Sequence, residues 1–200
     1  ALYYDRGYLL EKVQPPVLAP ATDGPFIDVR FRIDEGPRFR IGKLTIDERD
    51  DQGRVITPLG GKELRARISV PDGAWFSRAA LVGDLGSIRT AYRDAGYASV
   101  EADPITELDP AQGRVDVAIT VRRHALTTLH AIVVAGNRRT STADVMKHVL
   151  VSAGQLFNET KLEKTRTALL ATGAFREVAI STQATPSPSR ITVTIEVTER

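Results

Sequence analysis

One five-residue motif occurs twice, and its spacing constrains the fold more than any other feature. Gly73-Ala74-Trp75-Phe76-Ser77 matches Gly154-Gln155-Leu156-Phe157-Asn158 as Gly-x-apolar-Phe-cap. Ser77 and Asn158 are residue types whose side chains accept the free N–H groups at a helix start. Each is followed four positions later by a leucine, Leu81 and Leu162. The helix ends repeat as well. Tyr92-Arg93-Asp94-Ala95-Gly96-Tyr97 parallels Tyr3-Tyr4-Asp5-Arg6-Gly7-Tyr8, and a third copy reads Leu169-Leu170-Ala171-Thr172-Gly173-Ala174-Phe175. The glycine stands where a left-handed residue ends a helix. Repetition at this scale means an array of similar units, each a supersecondary motif.

The strands repeat in the same order. Val29, Phe31 and Ile33 alternate with polar residues, as do Val115, Val117, Ile119 and Val121, and then Ile191, Val193, Ile195 and Val197. Such alternation is the signature of a strand with one buried face. Leu44 and Ile46 correspond to Ile132 and Val134 as a preceding strand. In the last unit the spacing predicts strand one over about Leu129 to Val134 and a turn at Gly136-Asn137. Helix one follows Ser141-Thr142 with Val145, Met146, Val149 and Leu150 on one face. Helix two runs from Asn158 to about Thr172, strand two from Phe175 to Thr182, and strand three from Arg190 to Thr198. In the middle unit the face of helix two is Leu81, Leu85, Ile88 and Tyr92, at helical spacing.

The resulting order is βααββ. The fold class is α+β, with each module a three-stranded mixed sheet carrying two helices on one face. Residues 1–36 are the C-terminal part of a truncated module, 37–123 a complete module, and 124–200 a second complete module. The chain enters directly on a helix end, as expected of a fragment of something longer. Strands two and three are joined by a turn and pair antiparallel, and strand one arrives through the two helices. With strand three central, strand two is left as an edge. Asp103-Pro104 agrees, because proline in a sheet is tolerated chiefly at edges. The junction Arg122 to Thr128 has neither glycine nor proline and is short, so it reads as a restricted hinge.

Composition excludes several functions. A net charge of +2 leaves no basic face for nucleic acid. There are no cysteines, hence no disulfides and no thiolate metal sites. No run of about 18 apolar residues is present to span a membrane as a helix. His124, His130 and His148 are scattered without ligand partners, so neither a metal site nor a catalytic centre is expected, and no cofactor. Gly60-Gly61-Lys62 lacks the spacing of a phosphate loop and reads as the start of helix one in the middle unit. The serines stand in no nucleophile context. Trp75 and Phe76 align with Leu156 and Phe157 and are expected in the core. Asp47 to Gly53 reads as an inserted acidic loop, solvated or docking a basic partner.

These motifs in this order resemble polypeptide-transport-associated (POTRA) domains. Val29-Arg30-Phe31-Arg32-Ile33-Asp34-Glu35-Gly36-Pro37-Arg38-Phe39-Arg40-Ile41-Gly42 is similar to the link between consecutive POTRA domains. Gly136-Asn137-Arg138-Arg139-Thr140 resembles the turn after strand one in BamA- and TamA-type proteins. The resemblance implies a non-enzymatic periplasmic arm that precedes a β-barrel in the bacterial outer membrane, with membrane association through that barrel. Its implied partners are unfolded outer-membrane proteins and periplasmic chaperones or accessory lipoproteins. The reading this favours is a BamA-like assembly factor, with a TamA-like translocation component, a two-partner secretion transporter or a purely structural spacer as the alternatives. An open strand edge can take an extended client as an extra strand. The expected client-binding residues are Ser99, Val100, Glu101 and Ala102 in the middle module, and Arg176, Glu177, Val178, Ala179 and Ile180 in the last. Arg138 and Arg139 read as a solvated turn that can also contact a partner.

Overall fold

The computed structural model describes residues 2–22, 24–50, 52–56, 62–187 and 189–200. An N-terminal segment holds α1 (Leu2–Asp5) and the short strands β1 (Lys12–Val13), β2 (Val17–Pro20), β3 (Ile27–Arg30) and β4 (Ile33–Asp34). β2 pairs antiparallel with β3, and β1 with β4. Next come β5 (Arg40–Arg49), β6 (Val55–Ile56), α2 (Lys62–Ala66), α3 (Arg78–Asp94), β7 (Val100–Asp109) and β8 (Arg114–Arg123). The C-terminal part holds β9 (Thr128–Ala135), α4 (Thr142–Met146), α5 (Glu159–Ala171), β10 (Phe175–Ala184) and β11 (Arg190–Glu199).

Strand three is central in both sheets. The middle sheet has the order β6-β5-β8-β7 and the last sheet β10-β11-β9. β5 runs parallel to β8, and β9 parallel to β11. β7 and β10 pair antiparallel to the centre. A parallel pair needs a long crossover, and the two helices supply it. The alternation of β8 puts Val115, Val117, Ile119 and Val121 in one core with Phe39, Phe76, Leu81, Leu85, Ile88 and Tyr92. A second core gathers Leu129, Val145, Phe157, Leu162, Leu169, Phe175 and the alternate residues Val193, Ile195 and Val197 of β11.

Ser77 accepts from the Ala80 amide, Asn158 from the Lys161 amide, and Ser141 from the Asp144 amide, so each expected cap is in place. Inside α3, Gly83 and Gly86 each cost about 1 kcal/mol of helix propensity. Burial of Leu81, Leu85, Ile88 and Tyr92 stabilises by roughly 1.5–3 kcal/mol per side chain and outweighs that cost. One polar position on the long helix also repeats. Asp84 accepts from the Ser69 amide, and Thr165 at the matching place accepts from the Leu150 amide, each tying down the loop after the first helix.

Three expectations change. Helix one of the last unit closes after Met146. Val145 is buried, but Met146 and Leu150 are exposed, because the chain turns away before a second helical turn can bury them. Trp75 is not a core residue. It lies 39% exposed between two guanidinium groups, with Arg38 at 4.1 Å and Arg40 at 3.9 Å from its ring centre, while Phe76 is buried as expected. The first part of the acidic insertion is strand. Asp47, Glu48 and Arg49 continue β5, and the chain returns to pair β6 with Glu48 and Arg49. Glu48 is fully buried: it accepts from the Tyr92 hydroxyl at 2.8 Å and pairs with Arg123 Nε at 2.6 Å. Arg123 also bonds the Tyr97 hydroxyl. The turn after β9 is exposed at Arg138 and Arg139 and is also tied to the last strand. Glu199 takes the Thr140 amide at 2.7 Å and the Arg139 amide at 3.0 Å, and Arg139 also bonds the Arg200 carbonyl. Gly136 at φ +84° permits this closure, since any Cβ there would collide with the Val197 carbonyl oxygen. Of the Gly60-Gly61-Lys62 stretch, the two glycines lie outside the described residues and Lys62 opens α2.

Glu48→Ala removes one partner of a buried ion pair and is expected to cost about 3 kcal/mol in urea unfolding of the chain. The Thr140 amide, with the Arg139 amide and side chain, holds the Glu199 carboxyl at about 2 against an ordinary 4.5. A depressed carboxyl pKa stabilises the fold above the ordinary value and loses that contribution as pH falls through the folded one. Glu199→Gln is therefore expected to flatten the pH dependence of unfolding stability between about 4.5 and 2. Titration of stability in that window for both proteins is the check.

Candidate functional site

The features best suited to recognition are the edges formed by the second strand of each unit, β7 and β10. Among the described residues, β7 pairs only with β8, and β10 only with β11. In an antiparallel ladder every second residue bonds its partner and the others point their backbone groups away. The His124 amide bonds the Ser99 carbonyl, so the odd residues of β7 face β8. Val100, Ala102, Pro104, Thr106 and Leu108 therefore face outward. On β10 the Thr185 amide bonds the Arg190 carbonyl, which leaves Val178, Ile180, Thr182 and Ala184 facing outward.

The sequence-derived residues fall on both sides of this division. Ser99 precedes β7 and its carbonyl is used. Val100 and Ala102 face the edge with buried side chains, and Glu101 pairs with Arg122. Arg176 sits at the irregularity between Phe175 and Glu177. Glu177 and Ala179 bond toward β11, whereas Val178 and Ile180 present backbone groups outward. Arg138 is exposed, and Arg139 is engaged with Glu199 and Arg200.

Sequence reasoning found Pro104 on the β7 edge but missed Arg89. Arg89 of α3 donates to the Ala102 carbonyl at 2.6 Å, and Pro104 has no N–H to offer. The first half of this edge is thus blunted, a common protection against unwanted pairing. The second half, from the Pro104 carbonyl through Leu108, carries no such plug. It borders a groove of about 600 Å³ lined by Phe76, Arg78, Leu81, Val82, Leu85 and Leu108, to which the N-terminal segment adds Tyr4 and Leu9. The last unit has an equivalent groove of about 310 Å³ beside β10, lined by Phe157, Leu162, Ile180 and Thr182. There Arg93 and Ala98 of the preceding unit take the places of Tyr4 and Leu9. The first groove is mainly apolar, and Val82 on its rim is 57% exposed. The second carries Glu159 and Glu163 on its helix side. No local sequence signal shows that the preceding unit supplies one wall, because that depends on how successive units stack.

Comparison with known proteins agrees with this architecture. The POTRA family model, described as a surface antigen variable number repeat, matches residues 58–123 and 127–200. The outer membrane protein assembly factor BamA of Nitratidesulfovibrio vulgaris is 24% identical over 198 residues, which is 98% of this chain and 24% of the relative. BamA of Neisseria meningitidis is 23% identical over 202 residues, again spanning 24% of its length. The chain thus covers about a quarter of these curated relatives. Among solved structures, POTRA3-5 of Haemophilus influenzae BamA superposes with a TM-score of 0.78 at 18% identity, covering 99% of this chain and 76% of the other. BamA of Haemophilus ducreyi lacking POTRA domains 1-3 gives 0.69 at 17% identity, covering 81% and 30%. With two separate matches of the family model over most of its residues, this chain belongs to the POTRA family.

Proposed function

We propose that the chain is the periplasmic POTRA region of an outer membrane β-barrel assembly protein of BamA type, in which unfolded barrel strands add to the open edges of β7 and β10. In this reading residues 1–36 are the end of one module, and 37–123 and 124–200 are two complete ones. The observation that carries it is the recurrence, in both complete repeats, of an unpaired strand edge beside a groove. Backbone hydrogen bonds along an edge are indifferent to client sequence. A groove beside it takes alternate side chains, and a barrel strand is apolar at every second residue. Weak attachment at two linked edges raises retention through effective concentration. Of the sequence-derived residues, Val178 and Ile180 stand on the more open stretch, and Val100 and Ala102 border the plugged one. Accessory lipoproteins or chaperones would dock through other faces, including Arg138.

Titration of the chain with barrel-strand peptides, followed by backbone amide shifts, tests this. Shifts are expected along residues 104–108 and 178–184, with dissociation constants in the millimolar range. Thr106→Pro removes an outward N–H without taking a bond from β8, so it is expected to weaken binding at the first edge by about 1 kcal/mol, roughly fivefold. The second edge should be unaffected. No shift at either edge with several peptides at millimolar concentration would overturn the reading in favour of a structural spacer.

A further inference from the structure

The same set of bonds joins each unit to the next, and a carboxylate at a helix end lies at its centre. At the first joint the Asp5 carboxylate accepts from the Ala79 amide of α3 at 2.9 Å. At the second joint the Asp94 carboxylate accepts from the Thr160 amide of α5 at 2.8 Å. Asp5 and Asp94 occupy the same place in the repeated helix end, two residues before Gly7 and Gly96. The Phe39 amide bonds the Gly7 carbonyl, and the Thr127 amide bonds the Gly96 carbonyl, both at 2.8 Å. The Phe76 amide then bonds the Phe39 carbonyl, and the Phe157 amide the Thr127 carbonyl.

Each long helix therefore begins under two side-chain caps. One is its own Ser77 or Asn158, bonded to Ala80 N or Lys161 N. The other is the aspartate of the preceding unit, bonded one residue earlier. A carboxylate suits this place because free N–H groups and the helix dipole both favour negative charge there. The rest of the two joints differs. At the second, Asp94 also takes the Thr160 hydroxyl at 2.6 Å, and Asn158 donates to the Asp94 carbonyl. Beside them Arg93 pairs with Glu159 at 2.6 Å. At the first joint the positions equivalent to Arg93 and Glu159 are Tyr4 and Arg78, and Ala79 replaces Thr160. Arg38, Trp75 and Tyr8 stack there instead.

We infer that Asp5 and Asp94 are the residues that couple neighbouring modules, and that the 93/159 pair determines which module docks on which. The shared aspartate gives the two joints within this chain the same articulation, whereas the third helix end has Ala171 at that place. The neighbouring pair discriminates: the α3 end of one chain set against the α3 start of another would place Arg93 against Arg78, like charges where Arg93 and Glu159 attract. Such repulsion disfavours head-to-tail stacking of the middle module on its own copy. The inference rests on the joint geometry and is independent of client binding.

The chain has no cysteine, so spin labels can be placed singly. With labels at Glu107→Cys and Lys147→Cys on the whole chain, electron–electron distance measurements report the angle between the two complete modules. A narrow distribution is expected for the parent. Asp94→Ala removes the two charge-assisted hydrogen bonds from Thr160 and is expected to raise the population outside the native distance peak at least roughly tenfold. Arg93→Glu is expected to broaden the distribution, and Arg93→Glu with Glu159→Arg to restore it. An unchanged distribution in Asp94→Ala would overturn the coupling role. A double charge reversal no narrower than Arg93→Glu alone would overturn the discrimination. Amide spectra of the two modules in the same samples separate a loosened joint from an unfolded module. If Asp94→Ala unfolds one, the charge-reversal series and Thr160→Ala, which removes only the hydroxyl bond, still decide between these outcomes.

Discussion

The parallel pairing of the first strand with the third determines most of what this protein can do. β5 lies along β8 and β9 along β11, so the chain must cross over the sheet between them. The crossover is the pair of helices, and their apolar face covers the buried side of the central strand. The remaining strand can enter only from the other side of the centre, and it ends as an edge. An unpaired row of backbone groups is thus a consequence of topology in both repeats. What surrounds each edge is then a matter of individual side chains: Arg89 and Pro104 close part of β7, while the helix side chains shape a groove beside the remainder.

The stacking of units builds on the same helix. The N-terminus of α3 is where the preceding unit docks, and its C-terminus presents the aspartate that docks α5; α5 itself ends on Ala171 at that place. One element therefore carries the core, one wall of the groove and both joints. This economy explains why Tyr4 and Leu9, or Arg93 and Ala98, appear in the groove of the following unit. Edge, groove and joint are coupled in space although they are remote in sequence.

Much of this was legible in the residues. The Gly-x-apolar-Phe-cap motif located both long helices, and the alternating valines and isoleucines located both central strands, because caps and period-two burial are local requirements. Their order identified strand two as the edge. Trp75 misled because alignment with Leu156 was read as burial, whereas both are substantially exposed and only the following phenylalanine enters the core. Glu48 misled because a carboxylate among acidic neighbours resembles a solvated loop. Its partners, Tyr92 and Arg123, come from distant strands and helices, and nothing near Glu48 in sequence announces them.

The sequence by itself determined the repeat, the element order, the caps and the alternate burial of the central strands, since each depends on residues within a turn or a strand of one another. The tertiary structure alone decided the burial of Glu48, the plug of Arg89 on Ala102, the walls of the grooves and the capping of one module's helix by another's aspartate. Those depend on contacts between residues tens of positions apart, whose meeting is set by how helices lie on a sheet and how units stack. The aspartates of the repeated helix end were visible from the start as a matched pair, but their role exists only where two modules meet.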